Sequence, residues 1–254
     1  LHWPDSMCSY IGEDRLLISN DIFGQHWASS ERFDDEVDLS ELMHHTAKYY
    51  ANIVMPYSPI VAKFLKQVQE MNLEIDMIAT DHGLLWRSHI RDVLDAYDRW
   101  SRQETKEKAL VIFDSMWHST ERMAMSVTDG LIMEGISVKV LDLKVNARDD
   151  VMTEALDAKG ILFGSSTLHN GILPQVADML CYMKGLRPTG RVGAAFGSYG
   201  WSGESLKLLN QAMEEMKIKL VDPGIRIQYV PEADDLQKCF ELGRKVGRAI
   251  KNGD

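Results

Sequence analysis

The sequence is poor in the residues that build disulfide-bonded or membrane-anchored folds. It has 3 cysteines in 254 residues, and Cys8, Cys181 and Cys239 form neither a Cys-x-x-Cys pair nor an even set for a disulfide framework. Such usage is typical of a reducing compartment, so we expect a cytoplasmic protein. No apolar run reaches the length of a transmembrane helix, and no signal peptide is visible. We therefore expect no membrane partner.

Basic residues are also scarce. The chain carries 28 Lys and Arg against 38 Asp and Glu, a formal net charge of -10. A negative surface repels phosphodiester backbones and anionic lipids, which argues against nucleic acid as a partner. Hydrophobic residues make up 45% of the chain, enough for a well-filled core. The length suits one large domain or two ordinary ones.

The two halves follow different patterns. In residues 1–105, helical spacing runs from Leu39 to Met71, and Pro56 and Pro59 are expected to divide it into two helices. A strand is expected near 75–79, and a polar helix over about 88–107 is expected to connect the two domains. Residues 106–254 alternate, with strands expected at 109–114, 137–143, 160–166, 191–198 and 225–230, and helices at 119–133, 149–158, 174–184, 203–216 and 234–251. This alternation predicts an α/β domain with a doubly wound parallel sheet.

The most informative segment is 111–120, where an apolar strand runs into a hydroxyl-rich loop and then a helical pattern. Hydroxyls and backbone N–H groups at a helix N-terminus can hold a phosphate without a counter-cation. The loop contains no Lys or Arg, and the chain has no G-x-x-x-x-G-K-[ST] motif, so a flavin mononucleotide (FMN) phosphate fits better than a nucleoside triphosphate. The alternative is an ordinary capped turn between strand and helix.

Two further loops follow the third and fourth expected strands. In a flavodoxin-like strand order these three strand ends are neighbours, and ligands bind beyond them. Hydroxyls, amides, glycines and aromatic rings together suit a flat redox-active ring, although Trp201 alone could be a partly buried surface aromatic. The predicted binding residues are Ser115, Met116, Trp117, His118, Ser119, Thr120, Ser166, Thr167, Leu168, His169, Asn170, Gly171, Ser198, Tyr199, Gly200, Trp201, Ser202 and Gly203.

These motifs carry a family resemblance. Residues 109–251 resemble a flavodoxin domain, and DSMWHST, GSSTLHNGILP and FGSYGWSGES resemble the flavin loops of flavodiiron proteins, the A-type flavoproteins related to rubredoxin:oxygen oxidoreductase. LHWPDSM, SNDIFGQH, YYANI and DHGLLWR in the first half resemble the same family. The resemblance implies that residues 1–105 are the C-terminal portion of a metallo-β-lactamase-like αββα di-iron domain, and that 106–254 form a flavodoxin-like, five-stranded FMN-binding domain.

The resemblance also implies iron ligands. His2, Asp21 and His82 match family ligands to a centre of two non-haem iron ions, a bridging carboxylate being suited to pairing two metals. Tyr49 or Tyr50 matches a tyrosine near the irons, and His26 is expected beside the ligands. Taken alone, each histidine is more often a surface or core residue than a ligand. The chain lacks the family's H-x-E-x-D-H motif and starts within a motif, so we expect an N-terminal portion absent from this sequence to supply the remaining ligands.

Two positions depart from the family pattern. Ser166 stands where the family commonly has proline, and His169 stands where it often has asparagine. We expect these changes to affect the flavin potential or the stiffness of the second loop.

The implied activity is reduction of dioxygen to water, of nitric oxide to nitrous oxide, or of both, with electrons passing from a rubredoxin-type donor through FMN. The absence of a Cys-x-x-Cys pair indicates a separate donor protein. A head-to-tail homodimer, or a multiple of it, is implied by the family. The alternatives are a flavodoxin-like electron carrier without gas reductase activity, and a metal-dependent hydrolase, which the flavin loops disfavour.

Overall fold

The computed structural model describes residues 3–253 and divides the chain into two compact units, one up to Glu104 and one from Thr105. In the first unit, β1 (Ser9–Ile11) pairs antiparallel with β2 (Leu16–Asn20), which pairs parallel with β3 (Met77–Thr80). The helices are α1 (Leu39–Tyr49), α2 (Ser58–Glu70) and α3 (Ile90–Ser101). A π-helical turn (Tyr50–Val54) and a 3-10 turn (Met55–Tyr57) join α1 to α2.

The predicted division of the 39–71 segment is confirmed, and local chemistry explains it. Asp38 caps α1 by accepting hydrogen bonds from the backbone N–H groups of Ser40 and Glu41, at 2.9 and 3.1 Å. Pro56 lies in the 3-10 turn and Pro59 in the first turn of α2, where a missing N–H removes no helical hydrogen bond. The prolines therefore end one helix and begin the next.

The prediction of a connecting helix over 88–107 is wrong in the end point of the helix and in its role. The observed α3 ends at Ser101, and the next strand already begins at Lys106. One face of α3 is buried, since Val93, Ala96 and Tyr97 have no exposed surface. The polar residues occupy only the opposite face, as in any amphipathic helix, so α3 is part of the first unit's core.

The second unit is a parallel sheet with helices between its strands. The strands are β4 (Lys106–Asp114), β5 (Ser137–Asp142), β6 (Ala158–Ser165), β7 (Val192–Tyr199), β8 (Lys219–Leu220) and β9 (Ile225–Gln228). The helices are α4 (Ser119–Met133), α5 (Arg148–Ala155), α6 (Pro174–Leu186), α7 (Glu204–Glu215) and α8 (Ala233–Asn252). The order is β5-β4-β6-β7, with β8 and β9 both parallel to β7.

This order is the flavodoxin-like doubly wound arrangement that the alternating pattern predicts. The fifth strand position is split into β8 and β9, whereas only the segment around 225–230 was expected from the sequence. Register places the ends of β4 and β6 side by side, with Asp114 opposite Ser165. Within residues 3–253, no helix is long and apolar enough to cross a bilayer.

Candidate functional site

Three buried hydroxyls join the loops at the carboxyl ends of β4, β6 and β7. The Oγ1 of Thr120 lies 2.8 Å from the Oγ of Ser198 and 3.0 Å from the Oγ of Ser166. The Ser166 and Ser198 oxygens are 3.3 Å apart. This hydroxyl triangle brings the three predicted loops together, because each member belongs to a different one.

The first loop holds a buried hydroxyl that has no protein partner. Ser115 is 2% exposed, and its Oγ makes no hydrogen bond to any of the residues the structure describes. The loop then leads into α4 through His118, whose φ of 65° is left-handed and whose Nδ1 lies 2.6 Å from the Oε2 of Glu121. An unmet buried hydroxyl costs about 1–3 kcal/mol, and a phosphate beside a helix N-terminus would satisfy it. The loop chemistry therefore fits the FMN phosphate.

The second loop is a two-residue hairpin turn. Leu168 and Gly171 exchange backbone hydrogen bonds of 3.2 and 2.8 Å, and His169 and Asn170 between them have φ values of 49° and 58°. Two successive left-handed residues are typical of a type I′ turn, in which asparagine is favoured over histidine. Ser166, the other position that departs from the family pattern, contributes a hydroxyl that proline lacks.

The third loop connects β7 to α7 and is tied to the second. The Oγ1 of Thr167 donates to the Oγ of Ser205 at 2.8 Å, and the Oγ of Ser202 donates to the Oδ1 of Asn170 at 3.3 Å. Trp201 is 94% exposed, which is contrary to the alternative of a partly buried ring. These contacts fix two loops against each other while leaving an aromatic surface open.

A cleft of about 300 Å³ lies among the three loops. Its lining residues are Met116, Trp117, Ser119, Ser166, Thr167, Ser198, Tyr199, Gly200, Tyr229 and Val230. The other predicted residues lie in the same loops but do not line it: Ser115, His118, Thr120, Leu168, His169, Asn170, Gly171, Trp201, Ser202 and Gly203. A larger cleft of about 500 Å³ lies beside α7, but Lys207, Gln211 and Glu214 there lack the hydroxyl and aromatic groups that a flat, phosphorylated ligand needs.

Sequence reasoning missed three residues at this site. Tyr229 and Val230 follow β9, and their position after the last strand could have indicated them. Lys144 follows β5, the strand next to β4, and its Nζ donates to the carbonyl of Ser115. An ammonium group therefore lies at the loop, although the loop itself contains no Lys or Arg.

A second cluster forms in the first unit around Asp21, which is 6% exposed. The Oδ1 of Asp21 accepts a hydrogen bond from the Tyr49 hydroxyl at 3.2 Å and lies 3.3 Å from the Nε2 of His82. The His26 ring contacts Tyr49 and His82 edge-on, with ring centroids 4.8 and 5.3 Å away. The structure thus brings together two predicted ligands and two predicted neighbours. His2, the third predicted ligand, lies outside the described residues.

Burial shifts the pKa of two side chains in this cluster, Tyr49 and His26. Burial, and then the charge of Asp21, raises the pKa of Tyr49, so its hydroxyl stays a donor. Burial, assisted by His82 and opposed by Asp21, lowers the pKa of His26. Tyr50 is not in the cluster: its hydroxyl lies 2.8 Å from the Oγ of Ser58, and burial raises its pKa to about 12. Of the two candidate tyrosines, Tyr49 therefore reaches Asp21 and Tyr50 belongs to the core.

The described residues do not complete a metal site by themselves. From residue 3 to residue 253, no group of three or more His, Cys, Asp or Glu side chains is arranged to hold a metal ion. His44 and His45 take no part, since His45 stacks on Trp27 at 5.0 Å and pairs with Glu41 at 3.3 Å. Asp21 and His82 are a pair of adjacent donors, fewer than a di-iron centre needs.

Gln25, which sequence reasoning also missed, clamps the two donor loops together. Its side chain is fully buried, accepts from the Leu84 N–H at 2.8 Å and donates to the Phe23 carbonyl at 3.0 Å. Its own N–H donates to the His82 carbonyl at 3.1 Å. Gly83 has a φ of 83°, and a Cβ there would lie 2.0 Å from the Gln25 Oε1. Only glycine allows this approach, so the sequence at 83 helps to set the spacing of Asp21 and His82.

Comparisons with known proteins agree with this geometry. The flavodoxin family model matches residues 111–243. A nitric oxide reductase of Moorella thermoacetica is 48% identical over 251 residues, covering 98% of this chain and 63% of that protein. A rubredoxin-oxygen oxidoreductase of Megalodesulfovibrio gigas is 39% identical over 253 residues, covering 99% of this chain and 63% of that protein. The chain therefore spans less than two thirds of these relatives.

Solved structures give the same result. Rubredoxin oxygen:oxidoreductase from Desulfovibrio gigas matches with a TM-score of 0.97 and 38% identity, covering all of this chain and 64% of that one. The flavodiiron protein from Giardia intestinalis matches with a TM-score of 0.95 and 34% identity, covering 100% of this chain and 63% of that one. The chain belongs to the flavodoxin family through residues 111–243, and over its whole length it is similar to flavodiiron proteins.

Proposed function

We propose that this protein is an oxidoreductase that reduces dioxygen, nitric oxide or both, with electrons from a rubredoxin-type donor passing through FMN. The observation that carries the proposal is the hydroxyl triangle beside the unpartnered Ser115 hydroxyl. It is supported by the relatives, which are called nitric oxide reductase and rubredoxin-oxygen oxidoreductase.

The proposed FMN-binding residues are those of the three loops, together with Tyr229 and Val230. Bound FMN would supply one- and two-electron redox chemistry. The Ser115 hydroxyl and the N–H groups entering α4 would hold its phosphate, while the exposed rings of Trp117 and Tyr229 offer apolar faces to its flat ring system. The triangle would keep these loops in register whether or not the ligand is bound.

The proposed iron ligands are Asp21, His82 and His2, and two non-haem iron ions need further donors beyond these. Within the described residues, Tyr49 holds one oxygen of Asp21 through its hydrogen bond, and Gln25 fixes the backbone at His82. These contacts would hold the Asp21 carboxylate and the His82 backbone in place, as supporting residues commonly do.

We also propose a head-to-tail homodimer in the cytoplasm. The exposure of Trp117 and Trp201, at 83% and 94%, supports a second copy covering this surface. Free cysteines at 8, 181 and 239 are compatible with a reducing compartment. Light scattering of the FMN-loaded protein tests the dimer.

The binding test compares two buried threonines of α4. Thr120→Val removes a triangle hydroxyl, whereas Thr128→Val removes a hydroxyl that only donates to the Ala124 carbonyl at 2.9 Å. We expect Thr120→Val to weaken FMN binding about tenfold or more, because it removes the two hydrogen bonds that join the first loop to the other two, and Thr128→Val to leave it near wild type. Titration of apoprotein with FMN measures both. Wild-type protein that does not bind FMN would refute the flavin assignment.

The activity test measures consumption of dioxygen and of nitric oxide separately, with reduced rubredoxin as donor. Loss of gas consumption in Asp21→Ala, with FMN still bound and reducible, is the expected result. A flavodoxin-like electron carrier is the alternative, favoured by the family match at 111–243. Flavin reduction without consumption of either gas would select that alternative.

A further inference from the structure

We propose that Lys144 is the counter-cation of the phosphate-binding loop and that the buried carboxylate of Asp114 opposes it. Together they set how strongly the site prefers a phosphorylated flavin over an unphosphorylated one. This inference rests on the proposed FMN site and adds to it a charge pair from two neighbouring strand ends.

The position of Lys144 is fixed by the turn that follows β5. Its N–H donates to the Oδ1 of Asp142 at 2.9 Å, and the N–H groups of Val145 and Asn146 donate to the Asp142 carbonyl at 3.1 and 3.0 Å. The Leu143 N–H donates to the Phe113 carbonyl at 2.9 Å, which ties this turn to the end of β4. The lysine therefore starts from a rigid backbone directly beside the loop.

Two opposite charges meet at the first residue of the loop. The Lys144 Nζ donates to the Ser115 carbonyl and lies 3.6 Å from the Oδ1 of Asp114. The Asp114 side chain is 5% exposed and accepts the Ser115 N–H at 2.7 Å. One loop N–H is therefore already engaged by a carboxylate, and an approaching phosphate would meet a buried negative charge. Lys144 offsets that repulsion, because opposite charges near a protein surface interact strongly at such separations.

A charge effect can be distinguished from a merely structural one. A phosphate monoester carries about -1.5 to -2 charges at pH 7, whereas riboflavin has the same ring and no phosphate. If Lys144 only held the Ser115 carbonyl in place, its loss would loosen the loop that holds the phosphate and weaken FMN binding to the same extent at low and at high salt, whereas the effect of a counter-cation is screened by salt. A counter-cation acts on the phosphorylated ligand alone.

The experiment titrates the full-length apoprotein with FMN and with riboflavin, following quenching of flavin fluorescence. Lys144→Met should raise the FMN dissociation constant about tenfold and leave that of riboflavin within about twofold, the discounted value for a half-exposed charge. Asp114→Asn should lower the dissociation constant of FMN relative to that of riboflavin, which is the opposite effect. Lys139→Met is the matched control, because Lys139 lies on β5, the strand that leads to Lys144, and pairs with Glu154 at 3.3 Å. This variant should change neither constant.

Each outcome decides the matter. Equal weakening of both flavins by Lys144→Met, or no change in either, overturns the proposal while leaving the FMN site intact. Wild-type protein that binds neither flavin overturns the proposed function instead. If Asp114→Asn fails to fold, salt replaces it as the second measurement. Added salt should then reduce the preference for FMN over riboflavin more in the wild type than in Lys144→Met. An equal dependence of this preference on salt concentration in both proteins would count against the Lys144–Asp114 charge pair.

Discussion

Replacing Asp34 with alanine should destabilise the first unit more than any exposed aspartate nearby. Asp34 is fully buried, and its carboxylate accepts backbone N–H groups from Arg87 at 2.9 Å, Ser88 at 3.1 Å and His89 at 2.6 Å. These residues immediately precede α3, whose own N-cap side chain makes no capping hydrogen bond. Asp34 is therefore a cap supplied from a distant part of the sequence.

The magnitude follows from these three contacts. A hydrogen bond to a charged group contributes about 1.5–3 kcal/mol, and some of the exposed N–H groups regain water in the variant. We expect Asp34→Ala to cost about 3–5 kcal/mol. Asp34→Asn keeps one acceptor oxygen and should fall between this variant and the wild type.

Asp35→Ala is the matched control. Asp35 is adjacent in sequence but solvent-accessible, and it pairs with Arg87 across 2.8 Å. The pair is bidentate, and Asp35 also accepts the Ser88 hydroxyl at 2.9 Å. All these partners are side-chain groups at the surface, so this variant should cost little stability, well below the cost of Asp34→Ala. Urea denaturation measures the stabilities, and hydrogen exchange should show loss of protection at 87–89 only in the Asp34 variants. Equal stability and equal exchange in Asp34→Ala and Asp35→Ala would refute this account of α3.

Two further predictions concern glycine and pH. Gly83→Ala should lower the free energy of unfolding by about 2 kcal/mol or more, because Gly83 has a left-handed φ and lies close to Gln25. Gly185 has open space around it, so Gly185→Ala should be neutral or stabilising. Thermal unfolding measures both variants. Burial alone would raise the pKa of Asp157, but hydrogen bonds from Lys106 and Lys108 lower this pKa overall. The carboxylate therefore stabilises the fold above the unfolded-state pKa of about 3.9, and this stabilisation is lost as pH falls through the lower folded-state pKa. Lys108→Met removes one of those partners at 2.7 Å and should move acid unfolding, followed by circular dichroism, to higher pH; an unchanged midpoint would contradict this.

The second unit was largely predictable because its signals are local. Apolar strands alternate with amphipathic helices, and α4 occupies 119–133 as expected. Only the β9 half of the fifth strand position could be predicted. The other half, β8, has two residues, and Asp222 and Pro223 interrupt the apolar pattern soon after it. The polar composition of 88–107 concealed the buried face of α3, because three buried positions suffice to anchor an amphipathic helix.

The site residues that were missed share a different cause. Lys144 reaches Ser115 across 29 positions of sequence, and Gln25 reaches Leu84 across 59. Nothing in the local pattern of either residue indicates its partner, since only strand order and loop packing bring the pairs together. The three loops of the proposed flavin site could be predicted to lie together because each follows a predicted strand, and a parallel sheet collects such ends at one edge.

The oxygens of Thr120, Ser166 and Ser198 form a closed circuit in which each hydroxyl can donate one hydrogen bond and accept one. The three hydrogen bonds can run in either direction around the triangle. Reversing the direction requires only rotation of the three hydroxyl groups, which is fast compared with any backbone motion. An anion that accepts a hydrogen bond from one of these hydroxyls opens the circuit but leaves the other two hydrogen bonds in place. The loops can thus exchange one hydrogen bond for another without moving their chains, so arrival and departure of a ligand need not disturb the sheet edge that carries them.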